Sequence, residues 1–279
     1  MSDSQGPIHI NLKEVLQQKL GKKSRFVPGV LRRALERLIC QDSLNELLEN
    51  NYPARGSEFC RGVLRDLDVS VDLQCPANLP PREQKRVLFV CNHPLGGLDG
   101  MALIASLSEH YGCELQVVVN DLLMAVEPLA GCFLPVNTHG AQSRGTARSM
   151  ENAMKGDGPV LMFPAGLVSR LGDNGEVSDL RWNRMFIRKA IEHRRHIVPL
   201  HFDGHNTPGF YRAARRRMRM GFRFNFEMIL LPREVFAARG SHFTITCGRP
   251  IAWQDLAGAT DAEAERIKQI VYNLPSQNQ

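Results

Sequence analysis

Residues 89–100 read Phe-Val-Cys-Asn-His-Pro-Leu-Gly-Gly-Leu-Asp-Gly. An apolar run ends here in a turn carrying His93, Gly96, Gly97 and Asp99, and a helical stretch, Met-Ala-Leu-Ile-Ala-Ser-Leu, follows at once. Strand, glycine turn and helix in that order begin a βαβ unit, and the carboxyl end of such a strand is where sites assemble. Asp99 stands where a side chain caps the helix, and a turn through Gly96 and Gly97 can bring its carboxylate back to the His93 imidazole. A His oriented by a carboxylate is a general base. An imidazole bonded to a carbonyl beside a capping Asp would serve structure instead, and the pattern alone leaves both readings open.

Outward from this turn, short apolar runs at 86–91 (RVLFVC), 115–119 (LQVVV), 158–163 (GPVLMF) and 197–202 (IVPLHF) predict strands. Helical segments are expected at about 99–111, 145–155 and 182–195. This alternation predicts an α/β fold with a mostly parallel central sheet flanked by helices. The run 242–247 (HFTITC) alternates and reads as an edge strand. From Thr260, the capping-box pattern T-D-A-E and the stripe Ile267, Ile270, Val271, Leu274 predict a docked terminal helix. The proline-marked connector 77–82 (ANLPPR) divides a helical extension, 1–80, from the main domain, 81–279. Within the extension Pro28 starts a helix whose Leu31, Leu35, Leu38 and Ile39 share one side, with Ala34 between them. Arg33 and Arg37 take the other side and Arg32 the flank, so this helix either packs on the main domain or lies on a membrane surface. Leu12, Val15, Leu16 and Leu20 form a weaker, earlier stripe.

The chain has 279 residues, 43% of them hydrophobic and 23% charged, which excludes a disordered, collagen-like or coiled-coil protein. Seven cysteines without a C-x-x-C pair fit a reducing compartment. The opening MSDSQGPIHINLKEV lacks a basic segment followed by an apolar one, so no secretory signal is read. No run reaches the roughly 18–20 apolar residues of a membrane span. The longest candidate, 122–136, is broken by Glu127, Pro128, Gly131 and Pro135. A cytoplasmic location is expected, with any membrane contact at the surface.

Net charge is +6, and it is concentrated: residues 181–219 hold eleven Lys or Arg against Glu192 and Asp203. Arg212, Arg215, Arg216, Arg217 and Arg219, interleaved with Met and aromatic residues, read as a segment for an anionic lipid surface. No recognition motif for nucleic acid accompanies the charge, so no nucleic-acid partner is expected. The segment His201-Phe-Asp203-Gly-His205 offers two imidazoles and a carboxylate. A strand running into a loop fixes no ligand geometry, however, and no H-E-x-x-H or cysteine pair is present, so no metal is expected. Phosphate-loop, dinucleotide and G-x-S-x-G motifs are also missing. Cys91 reads as a core thiol.

Asn92-His93 with the nearby Asp99, then Gly131-Cys-Phe-Leu-Pro-Val136, Phe163-Pro-Ala-Gly166 and Val198-Pro199, resemble the four ordered blocks of the glycerolipid acyltransferases, over about residues 84–205. Within that superfamily NHPLGGLDG, FPAGLVSR, VPLHFDGHN and the later RFNFEMILLP to TITCGRPI segment are most similar to bacterial O-acyltransferases of amino-acid lipids, the lyso-glycine-lipid and lyso-ornithine-lipid enzymes. The resemblance implies a fatty acyl group moved from an acyl carrier protein or coenzyme A thioester to the hydroxyl of an N-(3-hydroxyacyl) amino-acid lipid. This would happen at the inner face of the cytoplasmic membrane, with no cofactor beyond the donor. His93 is then the base and Asp99 its orienter. Asn92, Gly96, Gly97, Asn137, Phe163, Pro164, Gly166 and Arg170 are the expected substrate-binding residues, and the Gly96-Gly97 or Gly166-Leu167 turns supply oxyanion donors. The arginine-rich segment then suits an acidic acyl carrier as well as lipid.

Three departures from the superfamily stand out, the first bearing on the turn that joins His93 to Asp99 and the other two on the acceptor. Five residues rather than four separate His93 from Asp99. Asn137 replaces an arginine of the second block. In the third, Ala165 replaces a glutamate and Val168 an arginine, with Arg170 two residues on. Those lost groups engage phosphorylated glycerol, so their absence suits an acceptor without phosphate. A lysophosphatidate or glycerol-phosphate acyltransferase with altered contacts, and a non-catalytic basic membrane- or nucleic-acid-binding module, are the competing readings.

Overall fold

The computed structural model describes residues 28–136, 144–222 and 225–277, with Gly6, 9–14, Gln17 and Gly21. Seven strands form one sheet in the order β1-β9-β8-β2-β5-β3-β4. These are β1 (Ser70–Gln74), β2 (Val87–Cys91), β3 (Gln116–Asn120), β4 (Phe133–Val136), β5 (Val160–Met162), β8 (His196–Asp203) and β9 (His242–Cys247). Every neighbouring pair is parallel except β8 with β9. A hairpin of β6 (Arg170–Leu171) and β7 (Val177–Ser178) stands apart.

β2 is the middle strand, and its side chains alternate between two cores. Val87, Phe89 and Cys91 join a layer with α3 (Gly56–Asp66) and α4 (Leu98–Tyr111), while Leu88 and Val90 join α5 (Arg144–Lys155), α6 (Met185–Glu192) and α9 (Asp261–Asn273). All five residues are buried, which is why RVLFVC shows a continuous apolar run rather than alternation. At about 1.5–3 kcal/mol for each fully buried large aliphatic or aromatic side chain, this strand anchors the site that follows it.

Three details differ from the expected layout. Residues 56–74 belong to the same cores: Phe59, Cys60, Val63 and Leu64 on α3 are buried against α4, and β1 pairs with β9, so residue 80 is not where the packed unit begins. β9 is therefore an inner strand, covered by β1, and not an edge. In α1 (Gly29–Leu38) no residue is buried and Leu31 is exposed, and its contacts are with α2 (Gln41–Asn50).

At the C-terminus Thr260 accepts a hydrogen bond from Glu263 N (3.1 Å), while the Glu263 carboxylate takes Arg266 and the Ala257 N–H, and Thr260 N goes to Gly258 O, so the capping box is not completed. Arg195, read as part of the basic region, is fully buried. Its guanidinium donates to the carbonyls of Ala153, Met154, Gly156, Gly158 and Val87 at 2.6–3.0 Å, closing the C-terminal end of α5 onto the start of β2.

Between β8 and β9 the chain makes an excursion through α7 (Pro208–Arg219), a 3-10 turn (Phe226–Leu230) and α8 (Leu231–Ala237). Thr207 caps α7 and Pro208 occupies its first turn. With the β6/β7 hairpin this excursion builds a third cluster around Val168, Phe210 and Tyr211, which caps the carboxyl end of the sheet beside the glycine turn.

Candidate active site

β2 and β5 are parallel neighbours, so their carboxyl ends bring the turn after β2 and the turn 163–166 side by side. The His93 ring stacks on Phe163 with centroids 4.0 Å apart. His93 Nδ1 lies 3.0 Å from Asp99 Oδ2. Asp99 is wholly buried; its Oδ2 also accepts from the N–H groups of Leu95 (2.9 Å) and Gly96 (3.2 Å), and its Oδ1 from Gly100 N (2.8 Å). Four donors and the N-terminal end of α4 hold this carboxylate ionised: burial opposes its charge, but the His93 and backbone N–H groups outweigh that and keep its pKa below the ordinary value.

An ionised carboxylate accepts only, so Nδ1 carries the proton and Nε2 presents its lone pair. For His93 burial works against the imidazolium, yet the Asp99 charge and hydrogen bond prevail and its pKa is raised. The ring keeps 17% of its surface open, enough for a substrate atom to reach Nε2. Within the five-residue turn from His93 to Asp99, Gly96 lies in the left-handed region at φ +79°. A Cβ there would stand 2.3 Å from Val168 Cγ2, so this position admits glycine for two independent reasons.

A scan against family models matches residues 14–276 to a family described as Acyltransferase. The chain belongs to that family. A lyso-glycine lipid O-acyltransferase of Phocaeicola vulgatus is 38% identical over 95% of both chains. Another of that name, from Bacteroides thetaiotaomicron, is 37% identical over 95% of this chain and 97% of its own. Among solved structures, the 1-acyl-sn-glycerophosphate (LPA) acyltransferase PlsC of Thermotoga maritima aligns over 95% of this chain and 98% of its own, with a TM-score of 0.47 and 11% identity.

The acyltransferase uses the other expected site residues in different ways. Asn92 is buried, and its amide donates to Phe202 O (2.9 Å) and accepts from Phe202 N (2.7 Å) and from Cys91 Sγ (3.5 Å), so it extends the sheet instead of facing substrate. Arg170 is also withdrawn: it donates to Val168 O (2.7 Å) and Glu227 Oε1 (2.9 Å). Glu227 is completely buried and takes Arg217 Nε at 2.9 Å as a second partner, so the acid ties hairpin, α7 and 3-10 turn together. Gly166 N donates to Phe163 O (2.9 Å) and Gly96 N to Asp99, so neither amide is available to an oxyanion. Gly97 and Leu167 donate no hydrogen bond among the described residues. Pro164 is buried, its carbonyl taken by Asn183 N (2.9 Å). Asn137, which follows β4, lies outside the described residues.

Burial holds the Cys91 thiol well above its ordinary pKa, as suits a core position. His201 packs edge-on against Tyr272 and His205 is exposed. Of the five arginines expected to meet lipid or carrier, Arg212, Arg216 and Arg219 are exposed. Arg215 is half-buried and donates to Gly172 O (3.1 Å), and Arg217 is bound to Glu227. Sequence reading counted both as surface charge because their partners lie 43 residues upstream and 10 residues downstream. Asp179, missed entirely, meets the His93 backbone through its side chain. No local pattern marks it, because its partners Ser169 and His93 lie 10 and 86 residues upstream.

Proposed function

We propose that the acyltransferase moves a fatty acyl group from an acyl carrier protein or coenzyme A thioester to the free hydroxyl of lyso-glycine lipid. The carrying observation is the His93–Asp99 pair with Nε2 unengaged. Beside it, Val168, at the position of the superfamily's arginine, is sealed in the cap, and Arg170 is neutralised by Glu227. No free guanidinium of the third block remains for a phosphate, and the acceptors named for the relatives at 38% and 37% identity are lyso-glycine lipids.

In the step, the acceptor hydroxyl gives its proton to Nε2 while its oxygen bonds to the thioester carbonyl carbon. The C–S bond then breaks and the thiolate takes that proton from Nε2. Charge on the tetrahedral oxygen is met by the unengaged N–H groups of Gly97 and Leu167. The test offers both thioesters with lyso-glycine lipid, lyso-ornithine lipid and lysophosphatidate to purified protein. Acylated lyso-glycine lipid is expected as the main product, and product from lysophosphatidate alone would overturn the reading.

The same reading puts the enzyme on the inner face of the cytoplasmic membrane. None of the described helices is long and apolar enough to cross a membrane. Support comes from the end of α7, where Met218, Met220 (59% exposed) and Phe222 (55%) stand out among Arg212, Arg216 and Arg219. Arg212, Arg216 and Arg219 changed together to Gln should lower binding to anionic vesicles on the order of 10²-fold in flotation at low salt, at about 1 kcal/mol per cation. Unchanged flotation would count against this face. Arg215 and Arg217 are left in place because they hold the cap.

A further inference from the structure

Asp179 is 4% exposed and follows β7 directly. Its Oδ1 accepts from His93 N (3.1 Å) and from Ser169 Oγ (2.5 Å), and its Oδ2 accepts from Trp182 Nε1 (2.8 Å). His93 N and Trp182 Nε1 can only donate and the Ser169 hydroxyl can donate, so these bonds favour the carboxylate, although burial outweighs them and raises the Asp179 pKa above the ordinary carboxylate value. The rest of the residue is equally held: Asp179 N donates to Tyr272 Oη (2.7 Å), and its carbonyl accepts from Lys268 Nζ (2.8 Å), both on α9. Ser169 N in turn donates to His93 O (2.8 Å). The main chain of His93 is thus clamped at its N–H by Asp179 and at its carbonyl by Ser169.

We propose that Asp179 is a positioning residue for acyl transfer: it fixes the His93 backbone and, as a second buried carboxylate, favours the imidazolium formed when the acceptor hydroxyl loses its proton. Asp99 acts on the ring and Asp179 on the main chain. A displacement of about 1 Å at a catalytic base can cost on the order of 10²-fold in rate, so a clamp on both sides of the Cα has kinetic consequence.

The charges facing His93 are few. Cys91 from β2 and Tyr272 from α9 are pushed up by burial and stay neutral, His201 on β8 is pushed down by burial, and the Lys268 ammonium engages the backbone carbonyl of Asp179. That leaves Asp99 and Asp179, both of which favour a protonated ring. The inference rests on the acyl-transfer reading for its kinetic part alone.

The experiment follows the imidazole resonances of ¹³C-histidine-labelled full-length protein against pH, without substrate, beside steady-state kinetics. In Asp179→Asn the His93 titration should move down by about 0.5 pH unit or more, as expected for loss of one nearby carboxylate. The acid limb of kcat/KM should follow it, and kcat should fall about 10-fold at little-changed KM. Ser169→Ala keeps the charge and removes one hydrogen bond to it, so kcat should fall several-fold with the His93 titration in place. A folded Asp179→Asn protein with an unmoved His93 titration overturns the proposal, as do equal shifts in both variants. If Asp179→Asn does not fold, Ser169→Ala decides: a several-fold loss of kcat at constant KM supports the clamp, and an unchanged kcat refutes it. Because the titration needs no acceptor, its outcome is separable from that of the acceptor assay.

Discussion

His93→Ala is expected to fold and to lose acyl transfer by at least ~10²-fold, the lower bound for removing a positioned general base. Folding survives because Asp99 keeps its hydrogen bonds from Leu95, Gly96 and Gly100, and because the ring contributes one polar contact and a stack on Phe163. Asp99→Asn should be as damaging with His93 present. The oxygen Oδ2 that meets Nδ1 also accepts from Leu95 and Gly96, so an amide oxygen kept there leaves the imidazolium without its facing charge, whereas an amide N–H turned there abandons those two bonds and forces the proton onto Nε2; either way a loss on the order of 10²-fold or more is expected.

In the wild type the working form is the neutral imidazole, so activity should fall as pH drops through the His93 pKa. Burial pulls that pKa down and the Asp99 carboxylate more than restores it, so the acid limb should lie above the pH of an unperturbed histidine. Stability runs the other way. A pKa raised on folding contributes fully below the unfolded value and is lost as pH rises through the folded one. The enzyme therefore works where the ion pair has ceased to stabilise it. A pH profile of kcat/KM beside circular dichroism of both variants checks each statement, and a full-rate, folded His93→Ala would remove the assignment.

Arg195→Met should be the most destabilising single change outside the site, at about 3–5 kcal/mol. Methionine nearly fills the volume but abandons five carbonyls, of which those of Ala153, Met154 and Gly156 end α5. These last-turn oxygens carry the negative end of the helix, so the cation is stabilised there without a carboxylate partner. Burial nevertheless pulls its pKa down to about 10. For a chain of this size the change should lower Tm by about 10 °C in a thermal melt. A shift within two or three degrees would mean that water reaches those carbonyls.

Sheet and dyad were legible because both are written locally. The run 86–91 followed by His93, two glycines and Asp99 fixes strand, turn and helix within about fifteen residues, and the Asp99 contact needs nothing beyond that turn. Thr260 likewise announced α9. What escaped depends on partners far along the chain. β1, five residues of mixed polarity, becomes a strand by pairing with β9, 172 residues away. The cationic stretch 181–219 looked like one surface because sequence shows charge but not burial. Arg195 lies in the core, Lys189 is paired with Glu151 and Glu192, and Arg217 with Glu227. Arg170 was assigned to substrate for the same reason, its acid lying 57 residues downstream.

The connection between β8 and β9 carries one more meaning. These two strands are the antiparallel neighbours of the sheet, and a turn of two residues could join them. The chain instead inserts α7, the 3-10 turn and α8 there, and leaves the strand register untouched. Because closing such a loop costs only about 0.6 kcal/mol for each doubling of its length, the segment can be lengthened, shortened or exchanged without re-threading the catalytic strands. The part that seals one side of the His93 turn is therefore an insertion between strands that is nonetheless bound to that turn, through Asn206 Nδ2 on Pro94 O (3.1 Å) and Leu231 beside Gly96.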